Sequence, residues 1–192
     1  MTPLPRLFLV RHGQTPWTIS RQYTGHTDIP LTPRGERDAI EVAHKLNTAD
    51  FKSVLTSPLQ RARRTCELAG FAARAFTIEP DLMEWNYGEY DGMTGAQVRE
   101  RRPGWNVFLD GAPGGESTAD ITARADRLLD RMRKLDGDTL LFGHGHFLRV
   151  LAARWIGLPV SDARRFVLGT TTVSILGYEH DLTDPAILQW NG

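Results

Sequence analysis

Short apolar runs alternate along this chain with stripes of apolar residues at helical spacing. Residues 7–10 and 140–142 are apolar without interruption, which is typical of strands buried on both faces of a sheet. Residues 53–56, 173–176 and 186–188 predict three further strands. This alternation predicts an α/β fold: a three-layer α/β/α sandwich around a mostly parallel mixed sheet of about six strands.

Capping residues and apolar stripes predict the main helices. Thr32-Pro33 and Ser57-Pro58 are typical helix starts, and Ser117 with Asp120 forms a capping box. A last helix follows residue 143. The predicted buried positions are, helix by helix, Ile40, Ala43 and Leu46; Leu59, Ala62, Cys66 and Ala69; Ile121, Ala125, Leu128, Leu129 and Met132; and Leu148, Leu151 and Trp155.

Residues 80–116 show neither the strand nor the helix period. The segment is rich in glycine and aromatic residues. We therefore expect a lid or a pocket wall here rather than a disordered loop.

Charge and composition narrow the class of protein. The chain has 23 basic and 23 acidic residues, so it lacks the positive charge expected of a general nucleic-acid binder. Its apolar runs are too short for a signal peptide or for a membrane helix of about 20 residues. The lone Cys66 excludes an intramolecular disulfide. We expect a single domain over residues 1–192, located in the cytoplasm, with no nucleic-acid or membrane partner.

Two histidines directly follow the two apolar runs. His12 stands in Arg11-His12-Gly13 and His144 in Gly143-His144-Gly145. Reactive groups collect at the carboxyl ends of strands in open α/β sheets, and neighbouring parallel strands would bring the two imidazoles together. Either histidine alone could be structural. The pair, both flanked by glycine, predicts a catalytic site.

A neutral imidazole can attack phosphorus and hold the phosphoryl group as a phosphohistidine, provided that positive charge surrounds the transferring oxygens. Arg11 and Arg61 would supply that charge, and we expect His144 to donate a further hydrogen bond. Glu84 precedes aromatic residues that would desolvate it. We therefore expect its pKa to be raised and its carboxyl group to act as the general acid.

Other phosphatase chemistries fail on spacing. The sixth residue after Cys66 is Ala72, where a cysteine phosphatase needs arginine. Asp136-Gly137-Asp138 has Leu140 where an aspartate-nucleophile motif needs threonine or valine. The chain has neither a Gly-x-Ser-x-Gly elbow nor a Walker A loop. No metal or cofactor is predicted.

A series of motifs follows in order from residue 6 to about residue 155. They are Arg11-His12-Gly13, Thr24-Gly25, Leu31-Thr32-Pro33-Arg34-Gly35, Ser57-Pro58-Leu59-Gln60-Arg61-Ala62, Glu84 with Gly88 downstream, Gly115-Glu116-Ser117 and His144-Gly145. Together they resemble the histidine phosphatase superfamily, also called phosphoglycerate-mutase-like.

The resemblance implies roles for the residues that match. His12 would be the phosphorylated nucleophile, Arg11, Arg61 and His144 the phosphate pocket, and Glu84 the proton donor and acceptor. The resemblance also implies a small phosphorylated substrate and no cofactor, and a homodimer stays open. The residues predicted to bind substrate are Gln14, Thr18, Tyr23, Thr24, Gly25, Tyr87, Gly145, His146 and Arg149.

Some of these residues have a second interpretation. His146 either lines the pocket or packs, and Arg149 either holds a second phosphate or pairs along its helix. Tyr23, Tyr87 and Trp105 belong either to the pocket or to the core. Thr18 stands where mutases have an asparagine against the phosphate, so one donor there is replaced by a hydroxyl or lost.

Within the superfamily the chain looks most like small acid phosphatases and a sedoheptulose-bisphosphatase-like group. Mutases usually carry Arg-His after the glutamate and a longer central insertion, whereas this short chain has Trp85-Asn86. The prediction is a metal-independent phosphomonoesterase acting on small phosphorylated metabolites such as sugar phosphates. The alternatives are a phosphoglycerate-type phosphomutase and a non-catalytic domain that binds phosphorylated ligands.

Overall fold

The computed structural model describes residues 3–46 and 50–192. Its six-stranded sheet has the order β3-β2-β4-β1-β5-β6. Strands β3, β2, β4 and β1 are parallel, while β5 runs antiparallel to β1 and to β6. The strands are β1 Leu7–Arg11, β2 Phe51–Thr56, β3 Thr77–Ile78, β4 Asp138–Gly143, β5 Val173–Tyr178 and β6 Pro185–Gln189. The predicted mixed sheet is confirmed.

Helices cover both faces of the sheet, as the predicted three layers require. They are α1 Pro16–Ser20, α2 Pro33–Leu46, α3 Gln60–Cys66, α4 Gly95–Arg101, α5 Val107–Asp110, α6 Thr118–Met132 and α7 Gly145–Trp155. Helices α2 and α3 pack with Phe8 and Val10 of β1 on one face. Helices α6 and α7 pack with Leu7 and Leu9 on the other face. None of the described helices is both long and apolar enough to cross a membrane.

The buried stripe of α2 differs from the predicted one. Ile40 is 47% exposed and Ala43 is half-buried, whereas the buried positions are Gly35, Ala39, Val42 and Leu46. The helix is rotated because its first turn lies against the backbone of Gln14 at Gly35, a contact that the apolar pattern does not record.

Two glycines make that contact. A Cβ atom on Gly13 would lie 2.6 Å from the carbonyl oxygen of Gly35, and one on Gly35 would lie 2.2 Å from the carbonyl oxygen of Gln14. The loop after β1 and the start of α2 therefore touch backbone to backbone. Any side chain at either position would push the loop after His12 away from the helix.

Strand β3 was not predicted, because its two residues are too few for a sequence period. Helix α3 begins at Gln60 rather than at Ser57-Pro58, although all four predicted apolar positions of this region are buried. The segment 80–116 contains the short helices α4 and α5 besides 3₁₀ turns at Pro80–Leu82 and Gly88–Tyr90.

Candidate active site

The ends of β1 and β4 bring the two histidines together. Arg11 pairs in register with Gly143, so His12 and His144 are the next residues on neighbouring parallel strands. The backbone N–H of His12 donates to the carbonyl of Gly143 at 3.0 Å. The two ring centroids lie 5.1 Å apart, which confirms the predicted juxtaposition.

His12 has one ring nitrogen fixed and the other free for chemistry. Its Nδ1 lies 2.7 Å from the carbonyl oxygen of Gly13, which can only accept, so Nδ1 carries the proton and Nε2 carries the lone pair. Burial, with Arg61 and Arg11 nearby, holds the pKa of His12 well below its usual value of 6.5. The ring is therefore neutral at physiological pH, in the state that a nucleophile requires.

His144 lies behind His12 and does not border the cavity. It is fully buried, its Nδ1 accepts from Nε of Arg61 at 3.2 Å, and its Nε2 lies 2.8 Å from Oγ of Ser57. Burial and Arg61 also hold its pKa well below 6.5. Both ring nitrogens of His144 thus have protein partners, and its link to the cavity runs through Arg61.

Arg61 is held in the floor of the site by backbone oxygens. Its Nη1 donates to the carbonyl of Thr27 and its Nη2 to that of Gly25, both at 2.8 Å. Gly25 therefore orients Arg61 instead of lining the cavity. Arg11 donates through Nη1 to the carbonyl of Leu168 at 2.5 Å, and its buried Nε has no partner among the described residues. Burial lowers the pKa of both guanidinium groups, which nevertheless stay charged.

Glu84 caps the helix that follows His144. Its Oε2 accepts from the backbone N–H of His146 at 3.0 Å, and its Oε1 accepts from Phe147 and from Trp85, each at 2.9 Å. Burial raises the pKa of this carboxyl group, but His146 and the three N–H donors lower it more, so that it lies below 4.5. The predicted rise of the pKa is wrong because, besides the aromatic side chains, backbone N–H groups surround the carboxylate and stabilise its charged form.

A cavity of about 250 Å³ opens above His12. Most of the predicted residues line it, namely Arg11, His12, Thr18, Tyr23, Thr24, Arg61, Glu84, Tyr87, Gly145, His146 and Arg149. The predicted residues that do not line it are Gln14, Gly25 and His144. The side chain of Gln14 instead accepts a hydrogen bond from the hydroxyl of Thr32 at 2.9 Å.

An aromatic wall stands beside His12. The hydroxyl of Tyr87 is hydrogen-bonded to Nδ1 of His146, and the ring of Tyr23 lies 4.8 Å from that of Tyr87. Burial lowers the pKa of His146 to about 4 and raises that of Tyr87 well above 10, so both groups are neutral. Trp105 belongs to the core, where its ring meets Tyr23 edge-on at 5.5 Å.

Positive charge dominates the cavity. Its lining contains the guanidinium groups of Arg11, Arg21, Arg61 and Arg149 and a single carboxylate, Glu84. This balance suits a phosphate dianion. Among the described residues, the histidine and carboxylate groups close enough to share a metal are the exposed Glu179, His180 and Asp184, which lie outside the cavity.

The comparison with protein families identifies this arrangement. The model of the histidine phosphatase superfamily (branch 1) matches residues 7–191. The chain belongs to the histidine phosphatase superfamily. The resemblance seen in the motifs is thus confirmed over almost the whole chain.

Several relatives of this histidine phosphatase have names that describe an activity. An acid phosphatase of Mycobacterium tuberculosis is 37% identical over 97% of this chain and 93% of its own length. The sedoheptulose 1,7-bisphosphatase of Saccharomyces cerevisiae is also 37% identical, over 81% of this chain and 69% of its own. A probable phosphoglycerate mutase of Shigella boydii is 33% identical over 92% and 86%.

A solved structure shows the same fold. The product of an open reading frame of Mycobacterium tuberculosis superposes with a TM-score of 0.92 at 34% identity, and the match covers 97% of each chain. The sheet order and the helix layers described above are therefore those of this histidine phosphatase fold.

Helix α1 contributes cavity residues of the histidine phosphatase that the sequence analysis missed. Trp17 lies on α1, Arg21 is the residue that ends it, and Gln22 follows. Helical spacing from Thr18 would have found Arg21, which is three residues further on. Leu168 also lines the cavity, and no sequence signal pointed to it. The hydroxyl of Thr18 donates to the carbonyl of Thr15 at 2.9 Å within a capping box, which favours loss of the donor at this position over its replacement by a hydroxyl.

Proposed function

We propose that this histidine phosphatase hydrolyses phosphate monoesters of small metabolites, with sugar phosphates as the preferred class, through a phosphohistidine on His12. The observation that carries the proposal is the fixed tautomer of His12. The carbonyl of Gly13 holds the proton on Nδ1, and the ring borders a cavity that Arg11 and Arg61 also line. The name of the acid phosphatase relative supports the same reaction.

In the first step the substrate phosphate binds between the guanidinium groups of Arg11 and Arg61. Only the protonated minority of Glu84 acts as the acid, because the N–H donors of α7 hold its pKa below 4.5. Nε2 of His12 attacks phosphorus, the bond from phosphorus to the ester oxygen breaks, and the leaving oxygen takes the proton of this protonated Glu84. The arginines stabilise the charge on the transferring oxygens. The products are a phosphohistidine, the free alcohol and ionised Glu84.

In the second step a water molecule replaces the alcohol. Glu84 takes a proton from the water as its oxygen attacks phosphorus, and the bond from phosphorus to Nε2 breaks. Phosphate leaves, and His12 and Glu84 return to their starting states. The N–H donors of α7 favour the carboxylate, so they favour Glu84 as the base of this second step.

The shape of the site supports small carbon chains as substrates. A volume of about 250 Å³ accommodates a metabolite rather than a segment of folded protein. Arg149 lines the cavity from α7, in a position suited to a second phosphate or to hydroxyl groups. The sedoheptulose 1,7-bisphosphatase relative supports phosphorylated sugars as the class.

A phosphomutase is the second candidate, because one relative is named a probable phosphoglycerate mutase. The residues that follow Glu84 favour the phosphatase. Trp85 is fully buried and donates through Nε1 to the carbonyl of Glu116, while the backbone N–H of Asn86 donates to the carboxylate of Glu116. Neither residue lines the cavity, so this stretch offers no cation for the carboxylate of a phosphoglycerate.

Product analysis tests the proposal directly. The protein is incubated with a panel of sugar phosphates and with 3-phosphoglycerate, and both free phosphate and isomerised ester are measured. We expect free phosphate from the sugar phosphates. Isomerised 3-phosphoglycerate without phosphate release would favour the mutase, and no turnover even of an aryl phosphate would favour a non-catalytic binding domain.

A further inference from the structure

Arg124 on α6 binds the backbone of the segment that carries Glu84. Its Nη1 donates to the carbonyls of Asp81 and Met83 at 2.8 and 2.7 Å, and its Nη2 donates to the carbonyl of Glu84 itself at 3.3 Å. Residues 83–87 belong to neither a helix nor a strand, so no regular hydrogen-bond ladder fixes their path. One guanidinium group performs that task at three carbonyls.

Glu116 fixes Arg124 from the other side. Nε and Nη2 of Arg124 donate to the two carboxylate oxygens of Glu116 at 2.8 and 2.7 Å, an arrangement that needs the planar fork of arginine. The same carboxylate accepts from the backbone N–H of Asn86 at 2.9 Å. Arg124 and Glu116 are only 11% and 17% exposed, so water competes little with these bonds. The pair therefore holds the segment on both sides of Glu84.

Arg124 also packs against Phe147, one of the residues whose backbone N–H binds the Glu84 carboxylate. Its guanidinium carbon is 4.1 Å from the centre of the Phe147 ring, and the backbone N–H of Phe147 donates to Oε1 of Glu84. The backbone and the side chain of Glu84 are thus both in contact with groups that Arg124 touches. Arg124 itself does not line the cavity.

We propose that Arg124, held by Glu116, is a positioning residue that sets the place of the Glu84 carboxyl group relative to the leaving oxygen. This inference rests on the proposed function, in which Glu84 transfers the proton. Proton transfer depends steeply on distance, and a misplacement of about 1 Å can cost about 100-fold in rate. Attack by His12 on a substrate with a good leaving group needs no such proton.

Substrates with different leaving groups separate positioning from general stability. In Arg124→Lys the charge stays but the fork that spans three carbonyls and a carboxylate is lost. We expect kcat/KM, which reports the step that phosphorylates His12, to fall by about 100-fold for a sugar monophosphate and to change little for p-nitrophenyl phosphate.

Arg127→Gln is the matched control. Arg127 lies on the same helix and binds the carboxylate of Asp81 at 2.6 Å, but it contacts no backbone carbonyl of the segment. This variant should retain wild-type kcat/KM on both substrates. A selective loss in Arg124→Lys but not in Arg127→Gln supports positioning.

Equal losses of kcat/KM on both substrates, or no loss on either, would overturn the positioning role. If Arg124→Lys shows no cooperative unfolding transition and is therefore not folded, the same comparison is made with Glu116→Gln. This variant weakens the hydrogen bonds between residue 116 and Arg124 but keeps the size of the side chain and its backbone contacts. Absence of phosphate release from both substrates by the wild-type protein would refute the proposed function, and the positioning role with it.

Discussion

The rings of His12 and His144 lie 5.1 Å apart, yet only His12 borders the cavity. His144 sits behind it and accepts a hydrogen bond from Arg61, so its contribution passes through that arginine. The two histidines look equivalent in sequence and have different tasks in the structure. We therefore expect the covalent chemistry at His12.

Replacing His12 tests the covalent route. His12→Ala should abolish phosphate release from every ester, because a covalent route cannot proceed without its nucleophile. A rapid acid-free quench of the wild-type protein should trap a phosphate label that is stable to base and labile to acid. Substitution of the exposed His44 provides the control. Full activity in His12→Ala would refute the phosphohistidine mechanism.

Replacing Glu84 tests the proton transfer. Glu84→Gln should slow sugar phosphates by about 100- to 10,000-fold, the usual contribution of general acid–base catalysis, and should affect departure of an aryl leaving group much less. The measurement is kcat/KM for a sugar phosphate and for p-nitrophenyl phosphate, because this ratio reports the first step and not the hydrolysis that both substrates share. The amide still accepts a hydrogen bond from the start of α7, so the fold should persist, which thermal unfolding checks. Equal losses of kcat/KM would show that Glu84 does not protonate the leaving oxygen.

Acid should destabilise the folded protein before it ionises the site. The pKa values of His12 and His144 lie well below 6.5, and that of His146 is about 4, because burial disfavours the charged rings. Below about pH 6.5 the unfolded chain binds protons that the folded protein does not. As the pH is lowered, the free energy of unfolding should therefore decrease, by up to about 1.4 kcal/mol per pH unit for each ring, until the pH reaches the pKa of that ring in the folded protein.

Urea unfolding at a series of pH values between about 7 and 5 measures this slope. The variant His146→Gln should show a shallower slope, because one of the rings no longer contributes. Glu84 adds nothing in this window, since its folded pKa lies below 4.5 and its stabilising effect is lost only at still lower pH. An identical slope in both proteins would contradict the assignment of His146 as a buried neutral ring.

Arg149 should determine the preference for a second phosphate. Its Nε donates to the carbonyl of Ala163 at 3.1 Å, which holds the guanidinium group at the cavity wall. Arg149→Gln should raise KM for a sugar bisphosphate by about 10- to 100-fold, the range for a hydrogen bond to a charged group, and leave p-nitrophenyl phosphate little changed. Arg154→Gln on the same helix, which pairs with Asp126, is the control. A similar rise for both substrates would remove Arg149 from the specificity wall.

Gly145 should matter for phosphate affinity. A Cβ atom at this position would lie 3.1 Å from Cζ of Arg11. Gly145→Ala should therefore displace that guanidinium group and weaken competitive inhibition by inorganic phosphate. An unchanged inhibition constant would show that Arg11 accommodates the methyl group.

The sequence predicted most of the site because its residues stand at strand ends or next to them. His12, Arg11 and Gly145 have positions that follow directly from β1 and β4, and the parallel pairing is a rule of α/β sheets. The state of Glu84 was not predictable in this way. Its pKa depends on N–H groups of α7, which is distant in sequence, and only the fold brings those donors to the carboxylate.

The same limit explains the other errors. Ile40 and Ala43 have the right spacing for a buried stripe, but the contact at Gly35 rotates α2 away from them. His144 stands at a strand end like His12, and its hydrogen bonds to Arg61 and Ser57 were decided by the packing of α3 against β4. Leu168 enters the cavity from a loop whose composition carries no signal.

The contact between Gly13 and Gly35 has a consequence for anyone who would transplant this chemistry. Both residues are glycine, so a larger side chain at one position cannot be compensated by a smaller residue at the other. The Arg11-His12-Gly13 tripeptide and the turn at Leu31-Thr32-Pro33-Arg34-Gly35 thus form one structural unit, although they are distant in sequence. A designer who transfers the tripeptide to another parallel sheet must transfer the turn as well, because the loop after His12 packs against it.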